Sequence, residues 1–339
     1  DFRDPKVFWH QDHWVMALAA GDRVLFYISP DLKHWESSGF FGGGYGSTDG
    51  VWETPDLFQL PVNDSDSRWV LTVGVGSGAY AGGSGTQYFI GDFDGKTFIS
   101  ENPKETVLWM DYGADFYAPQ SWNDEPNGRR IVLGWMSNWQ YARLTPTETW
   151  RGIFNIPREL SLADTKDGPR LVQAQIKELQ TLRGAHHHWQ NETVMPGENL
   201  LKNISGDCLE IITNVLVNPQ ATSFGFKLRI GADEQTLVRY DIQKQELIVD
   251  RSKSGIGDFH EAFASVQTVK LRQVENAIHL HILLDRCSVE VFANDGETVI
   301  SDVIFPSTSS MGLELFTEGS ELKITQLDVY QLTPAVFTS

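Results

Sequence analysis

Two short acidic motifs recur in the same local setting. Arg3-Asp4-Pro5 leads into Val7-Phe8-Trp9, and Trp52-Glu53-Thr54-Pro55 leads into Asp56-Leu57-Phe58. In the first, a permanent cation stands beside a carboxylate, so Arg3 is expected to keep Asp4 ionised and can itself donate to ligand hydroxyls. In the second, Trp52 and Pro55 predict an apolar, rigid neighbourhood for Glu53. Such a neighbourhood raises a carboxyl pKa toward the range that a general acid near neutral pH requires. A single acidic residue in such a place reads as a turn or a surface charge. Two of them, at parallel positions and among aromatics, form a candidate site.

Strands must hold these motifs, because helix signals are scarce from Arg3 to Leu162. Short apolar runs separated by Gly, Asp, Asn and Pro turns fill the region: Trp14–Leu18, Val24–Ile28, Trp69–Val73 and Arg130–Trp135. Aligning the prolines of Arg3-Asp4-Pro5, Glu53-Thr54-Pro55 and Tyr117-Ala118-Pro119 exposes a loose repeat, with Pro55 lying 50 residues after Pro5 and Pro119 lying 64 after Pro55. These intervals suit four-stranded propeller blades, a plain run of antiparallel hairpins being the alternative. Three such units cannot close a ring, so the region is expected to be one or more blades short. The pattern changes near Ser161–Thr165. Leu171, Ala174, Ile176, Leu179 and Leu182 have helical spacing and predict a helical linker over 166–184. Alternation then returns, in Leu209–Ile212, Phe224–Leu228, Ile278–Ile282, Val289–Phe292, Leu313–Phe316 and Ile324–Leu327, and suggests a β-sandwich. The expected organisation is all-β, with a propeller region over 1–165 and a sandwich over 185–339.

Composition agrees with two folded domains and excludes some partners. The 339 residues are 41% hydrophobic and 12% aromatic, enough to build cores. Lys and Arg number 27 against 45 Asp and Glu, a net charge of −18 that repels phosphate backbones and argues against nucleic acid. No apolar run approaches the roughly 18 residues of a membrane span. Cys208 and Cys287 could form at most one disulfide. His186-His187-His188 could bind metal, but three consecutive residues cannot all face one ion in a regular element, so a solvated inter-domain loop is expected. His279 and His281 alternate with Ile278, Leu280 and Ile282, as on the outward face of a strand. The glycines at 42–44 and 82–85 lack the context of a phosphate loop and read as turns.

Several stretches together resemble glycoside hydrolase family 32, its bacterial levanases and exo-inulinases above all. They are Phe2-Arg3-Asp4-Pro5, Trp52-Glu53-Thr54-Pro55-Asp56-Leu57, Gly83–Phe89, Gly91-Asp92-Phe93-Asp94-Gly95, Gly134-Trp135-Met136-Ser137-Asn138-Trp139, Ile156–Leu160 and Asp285–Phe292. The resemblance covers essentially the whole chain in the family's order. It implies a five-bladed β-propeller, of which about three blades lie in this sequence, followed by a β-sandwich. It also implies cleavage of β-fructosidic bonds with retention, which needs two carboxyl groups about 5–5.5 Å apart. Glu53 matches the acid/base and Asp4 the transition-state stabiliser. Arg3 matches the ring-binding arginine, and Trp139, with Trp135, the aromatic lining of the sugar pocket. Fructan or sucrose is the implied substrate, and the chemistry requires no metal or organic cofactor.

The sequence departs from the family pattern in three places. Thr54 stands where the family has Cys, and its hydroxyl is expected to serve as a donor beside Glu53. Cys287 replaces a Ser and reads as a small buried side chain. The family nucleophile lies in an Asn-Asp-Pro-Asn-Gly segment ahead of the Arg-Asp-Pro motif, and this sequence contains no such segment there. The similar run Trp122–Gly128 follows Glu53 and reads as a hairpin loop, while Asp111 and Asp115 read as rim or structural residues. The sequence therefore leaves three readings: an exo-acting fructosidase, an assembly completed by a separate or missing N-terminal segment that supplies the nucleophile, and a non-catalytic fructan-binding protein. A polymeric substrate implies an extracellular location, the cytoplasm being the alternative.

Overall fold

The computed structural model describes residues 1–335, which are almost wholly strand and connecting turn. Two 3₁₀ segments, Lys177–Leu182 and Asn294–Gly296, are the helices among the described residues. The chain divides into two compact units, Asp1–Ala142 with Gly152–Ala174, and Arg143–Arg151 with Gln175–Ser339.

In the first unit each proline motif opens a separate antiparallel sheet. The first sheet runs in the order β1 (Arg3–His10), β2 (His13–Ala19), β3 (Arg23–Ser29) and β4 (Glu36–Gly42). The second is β5 (Trp52–Asn63), β6 (Asp66–Val75), β7 (Gly85–Phe93) and β8 (Phe98–Ser100), with the short β9 (Leu108–Trp109) also paired to β7. The third contains β10 (Tyr117–Ser121), β11 (Arg130–Met136), β13 (Arg158–Ala163) and β14 (Arg170–Gln175), with β12 (Ile153–Phe154) against β11. Matching turns end the third strands of the first two sheets. Asp31 Oδ1 accepts from the amides of Lys33 and His34, and Asp94 Oδ1 from those of Lys96 and Thr97. A short polar side chain thereby replaces backbone pairing at the corner.

The three sheets pack face to face in chain order. Phe8, Val15, Val24, Phe26 and Phe41 of the first meet Trp52, Leu57, Leu71, Val73 and Phe89 of the second. The other face of the second sheet, with Phe58, Val70, Tyr88 and Ile90, meets Phe116, Val132, Leu160 and Leu171 around the third. Being covered on both faces explains why β5 to β7 read as near-continuous apolar runs rather than clean alternation. Trp52 is wholly buried, its indole N–H satisfied by the Ser47 carbonyl at 2.9 Å.

The second unit has a six-stranded and a five-stranded antiparallel sheet. The six-stranded sheet begins at its edge with Arg183–Val194, followed by Leu322–Leu332, Leu209–Leu216 and Ala277–Asp285. Ile211, Val215, Leu280 and Ile282 are buried there, as are Phe224, Phe226, Val238 and Leu247 of the other sheet. Cys208 and Cys287 are both free and half-buried, and burial pushes the Cys287 thiol up to about 11.

Three expectations change. The predicted helix over Leu171–Leu182 is instead β14, in which Leu171 and Gln173 alternate inward, and then a single short 3₁₀ segment. Helical spacing misled because only Leu171 and Ala174 of its apolar positions lie in the strand, on opposite faces, while the inward partner of Leu171 is the polar Gln173. The first unit accordingly runs through Ala174 rather than ending at 165. His186 to His188 lie inside a twelve-residue edge strand, not in a loop.

Candidate active site

Each proline motif carries the same backbone irregularity. Arg3 pairs with Ala19 and Lys6 with Ala17, Glu53 with Gly74 and Asp56 with Thr72, and Tyr117 with Trp135 and Gln120 with Leu133. Three steps on one strand thus oppose two on its neighbour, which is a β-bulge of one extra residue. The residue before each proline has a positive φ: 62° at Asp4, 48° at Thr54 and 49° at Ala118. For a β-branched residue such as Thr54 this region is strongly disfavoured, and three coincident departures of this kind mark a place where structure is held against local preference.

The bulges aim the residues two before each proline, Arg3, Glu53 and Tyr117, at one point. Arg3 Nε and Nη2 donate to Glu53 Oε1 at 3.0 and 2.9 Å, and Tyr117 Oη donates to Oε2. Burial, reinforced by the Glu53 hydrogen bond, pushes the Tyr117 phenol well above its ordinary range, so it remains a donor. One or two positions beyond the prolines a second ring forms. Lys6 lies 3.2 Å from buried Asp56 and donates to the Ser121 carbonyl at 2.6 Å, while Asp56 Oδ2 accepts from the Ser121 amide and hydroxyl, both at 2.7 Å. This buried ring locks the first strands of the three sheets together beneath the Glu53 cluster. Removing Lys6 or Asp56 alone would leave an uncompensated buried charge.

The aromatic residues extend the cluster. Tyr117 packs edge-on to Trp135 at 6.4 Å, and Trp135 lies 4.8 Å from Trp139, which is half exposed. Buried Asn138 sets the path of this loop. Its amide nitrogen donates to the carbonyls of Gly82 and Ala114 at 3.0 and 2.8 Å, and Trp139 N–H donates to Ser84 Oγ at 3.0 Å. Gly83 is required at this contact, because a β-carbon there would stand 2.0 Å from Asn138 Oδ1. Gly152 is likewise required beneath Trp135, where a β-carbon would meet Nε1 at 2.1 Å.

All five residues singled out from sequence, Arg3, Asp4, Glu53, Trp135 and Trp139, thus fall in one connected region, but several of their relations differ from expectation. Arg3 turns to Glu53 and Asp1 rather than to its neighbour Asp4. Asp4 Oδ2 instead accepts the Thr54 amide at 3.0 Å. Trp52 points into the core, so Glu53 sits between a guanidinium and a phenol and not in an apolar pocket, since side chains alternate along a strand. Thr54 Oγ1 is buried and makes no hydrogen bond among the described residues, so it is not a donor to Glu53. A thiol, a weak donor, suits such a place better. The run Trp122–Gly128 is the hairpin turn between β10 and β11, closed by Glu125 accepting from the Asn127 and Arg129 amides. Asp111 pairs with buried Arg158 at 3.0 Å and Asp115 accepts from Tyr141 at 2.7 Å, both within the interior. Tyr117 was not singled out as a site residue. The signal lay in the repeat itself, because it occupies the position that Arg3 and Glu53 hold in the other two motifs.

Comparison with known proteins gives a consistent result. Residues 1–175 match the glycosyl hydrolases family 32 N-terminal domain, and residues 178–331 match the C-terminal domain of the same family. A levanase of Bacillus subtilis (strain 168) is 50% identical over 341 residues, covering 98% of this chain and 50% of the relative. An extracellular exo-inulinase of Aspergillus ficuum is 37% identical over 350 residues, covering 98% of this chain and 65% of the relative. The crystal structure of exo-inulinase from Aspergillus awamori matches with a TM-score of 0.90 at 34% identity, over 98% of this chain and 67% of that one. The chain therefore spans about half the length of the levanase and about two thirds of that of the inulinases.

Proposed function

The chain belongs to glycosyl hydrolase family 32, and on that footing we propose that it carries the acid/base half of a retaining β-fructosidase that releases fructose from levan or inulin, and also from sucrose. The observation that carries this reading is the convergence of Arg3, Glu53 and Tyr117 from three separate sheets. Glu53 protonates the leaving glycosidic oxygen as the fructosyl carbon is attacked by a carboxylate. It then takes a proton from water as the covalent fructosyl ester is hydrolysed. Asp4 accepts hydrogen bonds from fructosyl hydroxyls, more strongly as positive charge develops on the ring, and Arg3 donates to sugar oxygens and orients the ring. Trp139 and Trp135 offer apolar faces to the sugar. Retention needs the second carboxylate about 5 Å from Glu53, and we assign that nucleophile to no residue of this sequence. In this reading the three sheets of the first unit are propeller blades, the second unit is a β-sandwich, and the protein works outside the cell.

Fructose release from levan, inulin and sucrose by the full-length protein tests the proposal. Glu53→Gln is expected to lower kcat on fructans by about 10²–10⁴-fold, the usual contribution of a positioned general acid, with KM little changed. Unchanged turnover would remove Glu53 from the role. A full-length protein that binds levan but never releases fructose would identify a fructan-binding protein instead.

A further inference from the structure

The second unit contains a polar cluster that plays no part in the proposed reaction. His186 and His188 alternate on one face of the edge strand Arg183–Val194, and Asp328 stands directly opposite His188 on the strand Leu322–Leu332. His186 Nε2 and His188 Nδ1 each lie 2.7 Å from the same oxygen, Asp328 Oδ1. The three ligand-type atoms all fall within 4.8 Å of one another. Asp328 is buried, while both imidazoles are open to solvent.

We propose that His186, His188 and Asp328 form a binding site for a divalent transition-metal ion, zinc being the representative, with water completing the coordination. Two imidazole nitrogens and one carboxylate oxygen are a donor set for borderline ions such as zinc, nickel or copper, and not for calcium or magnesium, which take oxygen ligands. Zinc–ligand distances of about 2.0–2.2 Å require each imidazole nitrogen to move out from Asp328 Oδ1, now 2.7 Å away, and the two nitrogens to settle at a matching separation, adjustments that exposed histidines on an edge strand can make.

The surroundings already orient the ligands. Gln326 donates to Asp328 Oδ2 at 2.6 Å and leaves Oδ1 directed at the imidazoles, the arrangement by which outer partners fix a ligating carboxylate. The His186 ring stacks on Tyr330 with centroids 4.2 Å apart and planes 8° apart, and the Arg183 guanidinium lies over the Tyr330 ring at 4.3 Å. His187 faces the opposite side of the strand, where it stacks with Trp189. A bound ion would clip the edge strand to its neighbour across the sheet.

Titration of the untagged, chelator-treated protein with zinc chloride, followed by calorimetry, tests the site. One saturable equivalent per chain is expected, with affinity in the micromolar range. His188→Asn and Asp328→Asn should each weaken it by at least about tenfold, as loss of a ligand does when only three are supplied. His187→Asn should leave it unchanged. Cobalt(II) titration gives a readout independent of stability, since its visible absorption reports nitrogen and oxygen ligation directly. Circular dichroism of the metal-free variants checks that each still folds. Absence of saturable binding to the wild type overturns the proposal. So does a His187→Asn loss equal to that of His188→Asn, or normal zinc affinity in folded Asp328→Asn.

Discussion

The Glu53 cluster and the His186 cluster are both polar groupings assembled across neighbouring strands, yet they are built in opposite ways. Arg3, Glu53 and Tyr117 come from three different sheets and meet because each strand carries a bulge with a positive φ. His186, His188 and Asp328 belong to two adjacent strands of one sheet and meet through the regular pairing of residues 186–188, which begins just after a one-residue bulge between Arg183 and His186. A regular pleat can gather only what its two-residue alternation already places on one face. Bringing chain-distant groups from separate sheets to a single carboxylate takes an irregularity that re-aims side chains, and the backbone is held in a costly conformation to provide it. The first arrangement suits chemistry that needs fixed positions, the second suits adjustable coordination.

If that contrast is right, conservative changes in the two regions separate cleanly. Tyr117→Phe keeps the ring that packs on Trp135 but removes the donor to Glu53. One hydrogen bond to a carboxyl group of about 1.5 kcal/mol corresponds to a loss of roughly tenfold in kcat. We expect that loss in kcat with KM nearly unchanged, the pattern of a positioning residue. A fall in thermal stability with kcat preserved would mean that the phenol only packs.

The same contrast explains what the sequence disclosed. The Glu53 site was legible because the bulge motif repeats, so its residue types recur at matching positions and survive without any knowledge of the sheets. What could not be read was direction. Arg3 beside Asp4, and Trp52 beside Glu53, suggested partnerships that strand alternation forbids, and the actual partners lie 50 and 64 residues from Glu53 in the chain. The His186 site was misread for the opposite reason. Its three-histidine run suggested a loop, whereas the strand reading depended on pairing with Leu322–Leu332, more than a hundred residues away. Over Leu171–Leu182 the apolar spacing is helical, and only hydrogen-bonded pairing with β13 in the third sheet makes Arg170–Gln175 a strand.

A titration sharpens the comparison from the side of the second unit. Arg183 donates to Glu210 at 2.6 and 2.8 Å and His281 lies 2.7 Å from Oε1. Burial alone would push the Glu210 carboxyl up, but these hydrogen bonds outweigh it and hold the group at about 2, below its ordinary 4.5. A depressed carboxyl pKa contributes stability that is present above the ordinary value and lost as pH falls through the folded one. Melting of the second unit should therefore weaken from pH 4.5 down toward 2. Glu210→Gln should lower stability at neutral pH and flatten that dependence. Equal slopes for the two proteins would assign the acid loss elsewhere.

The smallest expected effect addresses the backbone difference itself. Ala118 is the pre-proline residue of the third bulge with φ 49°, whereas His187 lies in regular strand. A left-handed conformation costs an L-residue about 1–2 kcal/mol and costs glycine almost nothing, while glycine in an ordinary strand loses about 0.5–1 kcal/mol. After the larger unfolded-state entropy of glycine is subtracted, Ala118→Gly should stabilise the protein by about 0.5 kcal/mol. His187→Gly should destabilise it by about 1 kcal/mol. Opposite signs in paired denaturant melts are the outcome that supports stored strain at the bulge. If both substitutions destabilise alike, the bulged strands are not strained, and the aim of Tyr117 at Glu53 must rest on side-chain packing with Trp135 rather than on the backbone.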